Sequence, residues 1–237
     1  LVSLDMGTEA AGPLWEGLAS TGILGSLIPE SYGGAGGSLM DTAVVYEELG
    51  QGPVPGPHFS SGVLAALVLL EGGTEEQKET LLPAIATGER VFTLAVTEAN
   101  YGWGAEFVRV VARQRGSDYA LEGTKMFVLD ATEATDIIVA CRLDNGDVGL
   151  MIVDAARGGV AVRALPGFAT GLCEVSLSGA SVSKNALVGS GREDGWAIFQ
   201  RALVKALPVQ CAYQVGGLAQ VFEMSMLYSQ TRHQFQQ

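Results

Sequence analysis

Apolar positions in the first ninety residues recur at helical spacing. Leu14, Leu18 and the pair Ile23-Leu24 make one stripe. Thr42–Leu49 reads as a second short helix, and Val63–Leu70 as a third that is apolar enough to be buried. Thr74 to Gln77 has the form of a capping box, with Glu75 and Glu76 placed favourably at the positive end of the helix that follows. Between these helices the run Gly33-Gly34-Ala35-Gly36-Gly37 predicts a tight turn. From about Val91 to Val188 the period shortens to that of strands. Phe107–Arg115 alternates, Gly116-Ser117-Asp118 turns, and Tyr119–Leu121 returns. Ile137–Arg142, Val148–Asp154, Val160–Leu165 and Cys173–Leu177 continue in the same way between Gly-containing turns. From Gly195 to about Arg232 the chain is helical again, with a kink or break expected at Pro208. The pattern predicts an α+β chain in three units. These are an N-terminal helical domain over 1–92, an antiparallel β-barrel or sandwich over 93–190, and helical sequence over 191–237.

Composition narrows this picture. With 48% hydrophobic and 17% charged residues, a chain of 237 residues has enough apolar surface for a sizeable core and is not disordered in bulk. A net charge of −12 argues against nucleic acid or an anionic membrane surface as a partner. It leaves open an anionic ligand held by local basic residues. Val63–Leu70, the longest uncharged apolar run near the start, is far too short to span a bilayer. No secretory signal is visible, so a cytoplasmic location is expected. Cys141, Cys173 and Cys211 lie far apart without metal-type spacing and read as reduced core thiols; no metal site is expected. Leu1 is not an initiator Met, and Gln237 follows directly on a strong motif, so further residues are expected at both ends.

The chemistry centres on Leu94–Gly104, LAVTEANYGWG. A short apolar strand runs into Thr97-Glu98 and then into a turn containing Gly102 and Gly104. Such a turn brings several backbone N–H groups together and suits a phosphate or a polar ring edge, although most Gly-rich turns between strands are only turns. The Gly33–Gly37 cluster fails as a dinucleotide fingerprint, because Leu39 stands in place of the third Gly and no strand precedes it.

Further motifs lie in register around this turn. Leu24–Gly37 reads LGSLIPESYGGAGG, Tyr46–Gly50 YEELG, Gly73–Pro83 GTEEQKETLLP, Leu121–Ala131 LEGTKMFVLDA, and Tyr228–Phe235 YSQTRHQF. In this order and spacing the chain resembles the acyl-CoA dehydrogenases over nearly its whole length. That resemblance implies helices, a β domain and the beginning of a C-terminal four-helix bundle. It further implies FAD as cofactor, an acyl-CoA substrate desaturated by hydride transfer to the flavin, and a homo- or hetero-oligomer built as a dimer of dimers.

Residue roles follow from the same resemblance. Thr97, Gly102 and the segment Phe127-Val128-Leu129 match the positions that meet the flavin ring, with Phe127 where an aromatic packs on it. Phe127 is equally readable as ordinary strand core. Trp103 stands where relatives have a small residue near the pyrophosphate or thioester, and it is large enough to fill space meant for ligand. Leu129 replaces a hydroxyl that hydrogen-bonds the flavin. Arg232, with Gln234 and Phe235, matches a stretch that reaches across a dimer interface to the neighbouring subunit's FAD; as a helix C-terminal cation it would also complement the helix dipole. Leu207 falls where many relatives have Arg, Val204 replaces an acidic residue, and Ala206 aligns with one of the positions used for the catalytic carboxylate. The chemistry requires a base for the α-proton, and no residue here can be named for it. Two functions are therefore in view: an acyl-CoA dehydrogenase in its own right, or a catalytically worn partner subunit whose Arg232 and Phe235 complete another subunit's FAD site.

Overall fold

The computed structural model describes residues 11–52, 54–167, 171–191 and 193–233. Helices α1 (Ala11–Ser20), α2 (Leu39–Gln51), α3 (Ala66–Gly72) and α4 (Glu75–Ala86) precede seven strands, and one long helix, α5 (Gly195–Thr231), follows them. Helix α2 starts earlier than its apolar stripe suggests, because Ser38 and Asp41 cap it reciprocally. The buried apolar run near residue 63 begins as a wide turn over Ser60–Ala65 and then tightens into α3. The Thr74–Gln77 box is formed as expected. Gln77 does more than cap: its side-chain amide also donates to the carbonyls of Asn185 and Leu187, 2.9 and 3.0 Å away, tying α4 to the end of the strand region.

The strands are β1 (Phe92–Ala95), β2 (Val111–Arg115), β3 (Asp118–Leu129), β4 (Asp136–Leu143), β5 (Val148–Asp154), β6 (Val160–Ala164) and β7 (Leu172–Ser183). They form one curled sheet. Its pairings β2–β3, β3–β7, β6–β7 and β4–β5 are antiparallel, as the short turns imply. In one detail the sheet departs from the alternation reading: β4 runs parallel to both β1 and β2, so the sheet is mixed. Alternation fixes which face a side chain takes but not which strand lies alongside, and a parallel partner can be far away in sequence. Strand β4 shows why its segment reads as an unbroken apolar run. Ile137, Val139 and Cys141 point into the interior of the curl, while Ile138 and Ala140 pack against the helices.

The helical layer and the sheet share a core in which Trp196, Ile198 and Phe199 of α5 meet Leu82, Ile85, Phe92 and Leu150. Helices α2 and α5 approach through a reciprocal notch. A β-carbon on Gly50 would lie 2.0 Å from the Tyr213 carbonyl oxygen, and one on Gly216 would lie 1.8 Å from that of Glu47. Only glycine fits either position. The break expected at Pro208 does not occur, and α5 continues through it. Buried Ala206 and Val209 hold both sides of the proline in the core, so packing offsets the lost backbone hydrogen bond. Cys141 and Cys173 are buried, as read; Cys211 is exposed on the outer side of α5 and is not a core thiol. Among the described residues no helix is long and apolar enough to cross a membrane, and no group of side chains is arranged to hold a metal ion.

Candidate flavin-facing site

The site is built where β3 leaves its partner. Register between β3 and β7 breaks between Lys125 and Val128, and at the break the Met126 N–H donates instead to the Thr97 carbonyl, at 2.8 Å. A bulge of this kind re-aims side chains. Phe127 adopts left-handed backbone, with φ of 56°, and leaves the sheet 44% exposed. Leu129 is likewise 40% exposed, and its carbonyl accepts from the Thr93 hydroxyl. Val128 points the other way into the sheet core, so only its backbone can face a ligand. Thr97 is half-buried, and among the described residues its hydroxyl has no hydrogen-bond partner.

Beneath Thr97 lies a buried ion pair. Lys125 is fully buried, and its ammonium donates to Glu98 Oε1 at 2.7 Å and to the Val96 carbonyl at 3.1 Å. The same Glu98 oxygen accepts from the backbone N–H groups of Arg109 and Val110, at 2.9 and 3.0 Å. Burial pushes the Lys125 ammonium below the usual lysine range, and the hydrogen bond to Glu98 opposes that shift.

Part of the backbone of the Gly-rich turn is already engaged within the turn. The Tyr101 N–H donates to the Glu98 carbonyl and the Gly102 N–H to the Asn100 side chain, while the Asn100 amide donates to the Phe107 carbonyl. Gly102 is required for a different reason, since a β-carbon there would lie 1.9 Å from the Phe107 ring. Aromatic rings occupy the ground around it. Tyr101 stacks on Phe127, with ring centres 5.9 Å apart and planes 30° apart. Trp103 packs at a steep angle against Trp196 and Phe199, with ring centres 5.8 Å away in both cases, and stays more than half exposed. The cavity left beneath it, between Val96, Thr97, Glu98, Phe107 and Trp196, is about 10 Å³, barely room for one water. A separate cavity of about 450 Å³ lies between α4 and the ends of β5 and β7 and shares no residue with this site.

The structure thus gathers Thr97, Gly102, Trp103, Phe127 and Leu129 beside the first turns of α5. It separates Arg232 from them. Arg232 caps the far end of α5, its guanidinium 5.4 Å from the Tyr228 ring. Trp103 contacts the same helix at Phe199, and the 33 residues between Phe199 and Arg232 correspond to about 50 Å of helix at 1.5 Å per residue. Phe235 lies outside the described residues. Ala206 is fully buried, whereas Val204 and Leu207 are exposed. Of the carboxylates near the start of α5, Glu193 is paired with Arg201.

Sequence reading passed over Glu98–Lys125, Tyr101 and Asp130. Asp130 follows Leu129 in left-handed backbone and is buried; burial, with Glu133 nearby, pushes its carboxyl up to about 7. A lysine on the inward phase of an apolar strand was a readable signal that an acidic partner had to be buried with it.

Residues 4–89 match the family described as Acyl-CoA dehydrogenase, N-terminal domain. The acyl-CoA dehydrogenase FadE27 of Mycobacterium tuberculosis is 32% identical over 225 residues, which is 94% of this chain and 57% of that protein. The chain belongs to the acyl-CoA dehydrogenase family. Among solved structures, the ChsE4-ChsE5 complex from Mycobacterium tuberculosis is similar over 94% of this chain and 58% of the matched one, with a TM-score of 0.81 at 31% identity. An acyl-CoA dehydrogenase complexed with FAD from Bacillus anthracis gives 0.89 at 26% identity, over 98% of this chain and 41% of its own. The chain therefore spans little more than half the length of FadE27 and a smaller share of some relatives.

Proposed function

We propose that the chain is part of an FAD-dependent acyl-CoA dehydrogenase that desaturates an acyl-CoA thioester between its α and β carbons. The observation that carries this reading is the junction at Met126 and Thr97. It sets an unclaimed hydroxyl and two outward apolar side chains, Phe127 and Leu129, on one ledge beside α5. Exposed apolar side chains of this size are costly unless covered, and a flat, largely apolar ring with polar edges suits them. Thr97 would hold the ring edge, Phe127 its face, and Leu129 would contribute contact but no hydrogen bond. When bound, FAD supplies the hydride acceptor. What this chain contributes is orientation and exclusion of water, since Trp103, Trp196 and Phe199 close the space behind the ledge. No residue is proposed as the base. Ala206 is apolar and buried, and Glu193 is neutralised by Arg201.

Specific observations favour a second form of the same reading, in which the chain is a partner subunit of a heteromeric assembly. Tyr101 lies on Phe127, where a ring would otherwise stack, Trp103 fills the adjoining space, and Leu129 lacks the hydroxyl. The distance along α5 keeps Arg232 from its own ledge and suits a reach into a neighbouring subunit, where a guanidinium can fork onto phosphate oxygens. The second half of α5 also exposes Leu218, Val221, Phe222, Met224 and Leu227, an apolar surface that needs covering helices. Purification alone and together with a co-expressed homologue, followed by flavin absorbance and mass measurement, tests both forms. A yellow homomer that bleaches with an acyl-CoA supports the first. A colourless protein that acquires flavin only with its partner supports the second. A flavin-free assembly under every condition overturns both.

A further inference from the structure

Glu98 and Lys125 do something that neither catalysis nor ligand contact requires. Residues 99–108 form the loop that carries Tyr101 and Trp103. One carboxylate oxygen closes both ends of that loop: Glu98 precedes it in the chain, while the Arg109 and Val110 N–H groups that donate to Glu98 follow it. Lys125 then fastens this junction to β3, reaching Glu98 and the Val96 carbonyl from the residue just before the β3 bulge. Among the described residues nothing donates to the second oxygen of Glu98, and the residue itself lines the small cavity under Trp103. Within the loop, the hydrogen bonds that hold its shape are local, from Tyr101, Gly102 and Asn100. Its other anchors to the body are the Arg142 guanidinium of β4, which donates to the Ala105 and Val108 carbonyls, and the aromatic contacts to Phe127, Trp196 and Phe199.

We infer that Glu98 and Lys125 are positioning residues, a clasp that shuts the aromatic loop over the ledge and sets its height against β3. The clasp holds Tyr101 over Phe127 and Trp103 over Trp196, and so sets how much room remains above Thr97. That this room receives a flavin rests on the function proposed above; the clasp itself does not.

Hydrogen exchange read by peptide mass spectrometry separates the two ideas. Lys125→Met keeps the length of the side chain and removes its charge, leaving Glu98 buried with only backbone donors. The expected result is exchange at residues 99–110 faster by on the order of 100-fold or more, the scale of breaking one partner of a buried pair, with β6 and β7 unchanged. The double variant Lys125→Met with Glu98→Gln, which removes both charges while an amide oxygen can still accept from Arg109 and Val110, restores protection. If Lys125→Met does not fold alone, the double variant compared with wild type plus Glu98→Ala carries the same test. Exchange that rises uniformly along the chain, or not at all, overturns the clasp. Flavin content of the same variants in the assembled protein is the separate readout. A loop that opens without change in flavin content leaves the clasp standing and removes the loop from the cofactor site.

Discussion

Lys125 and Arg201 each hold glutamate, one beneath the site and one on the surface. Lys125 is sealed in, and Glu98 Oε1 collects three donors in fixed geometry. Arg201 forks onto both oxygens of Glu193, at 2.6 and 2.9 Å, and shares the partly covered Glu71 with Lys205 at the surface. Contact with Lys205 and Arg201 holds the Glu71 carboxyl below its ordinary range. On distances alone the surface network looks the stronger. Burial reverses the order: water competes little for the Lys125 pair, so losing either partner strands a charge, whereas the surface groups return to solvent at little cost.

The sharpest way to break this contrast is Lys125→Met, expected to destabilise folding by about 3–5 kcal/mol, read from urea midpoints, with the double variant carrying Glu98→Gln recovering much of the loss. A smaller effect is expected at the half-buried pair of Arg90 and Asp136, which lies between the extremes. There the guanidinium reaches both carboxylate oxygens, and the Thr135 hydroxyl donates to Oδ2 at 2.7 Å. Asp136→Asn should cost about 1–3 kcal/mol. A buried acid without a cation extends the comparison. Asp130, with its carboxyl pushed up to about 7 from 3.8, stays protonated in the fold while the unfolded chain ionises. Between about pH 4 and 7 the native state thus binds the extra proton, so stability falls as pH rises, by at most about 1.4 kcal/mol per unit. It levels off above 7. Asp130→Asn should flatten that slope in a pH series of denaturation midpoints. Least is expected of Glu71→Gln, a loss of about 0.2–1 kcal/mol that fades in high salt. A cost at Glu71 equal to that at Lys125 would show that solvent exposure does not set the ranking.

These contrasts also mark what could be read from the sequence. The α4 cap was legible because Thr74 and Gln77 carry it within one turn, and the strands were legible from alternation or, at β4, from a short apolar run between turns. Thr97, Phe127 and Trp103 stood out through resemblance and do come together beside α5. The parallel pairing of β4 was not legible, since it joins β4 to β1 across two intervening strands and to β2 across one. Nor was the stack of Tyr101 on Phe127, because it arises from two residues in left-handed backbone, a conformation neither ring favours. Pro208 does not end α5, because local propensity yielded to burial on either side of it.

The parallel neighbour of β1 has a consequence for synthesis. Phe92 pairs with Asp136, and the lysine that anchors Glu98 emerges before that strand is made. A ribosome delivering the chain from its first residue must expose the unfinished edge of β1, aromatic turn included, until β4 and its hairpin mate β5 have left the exit tunnel. A pause in translation while β4 and β5 are still inside the tunnel would prolong that exposure, and one after both strands have emerged would not.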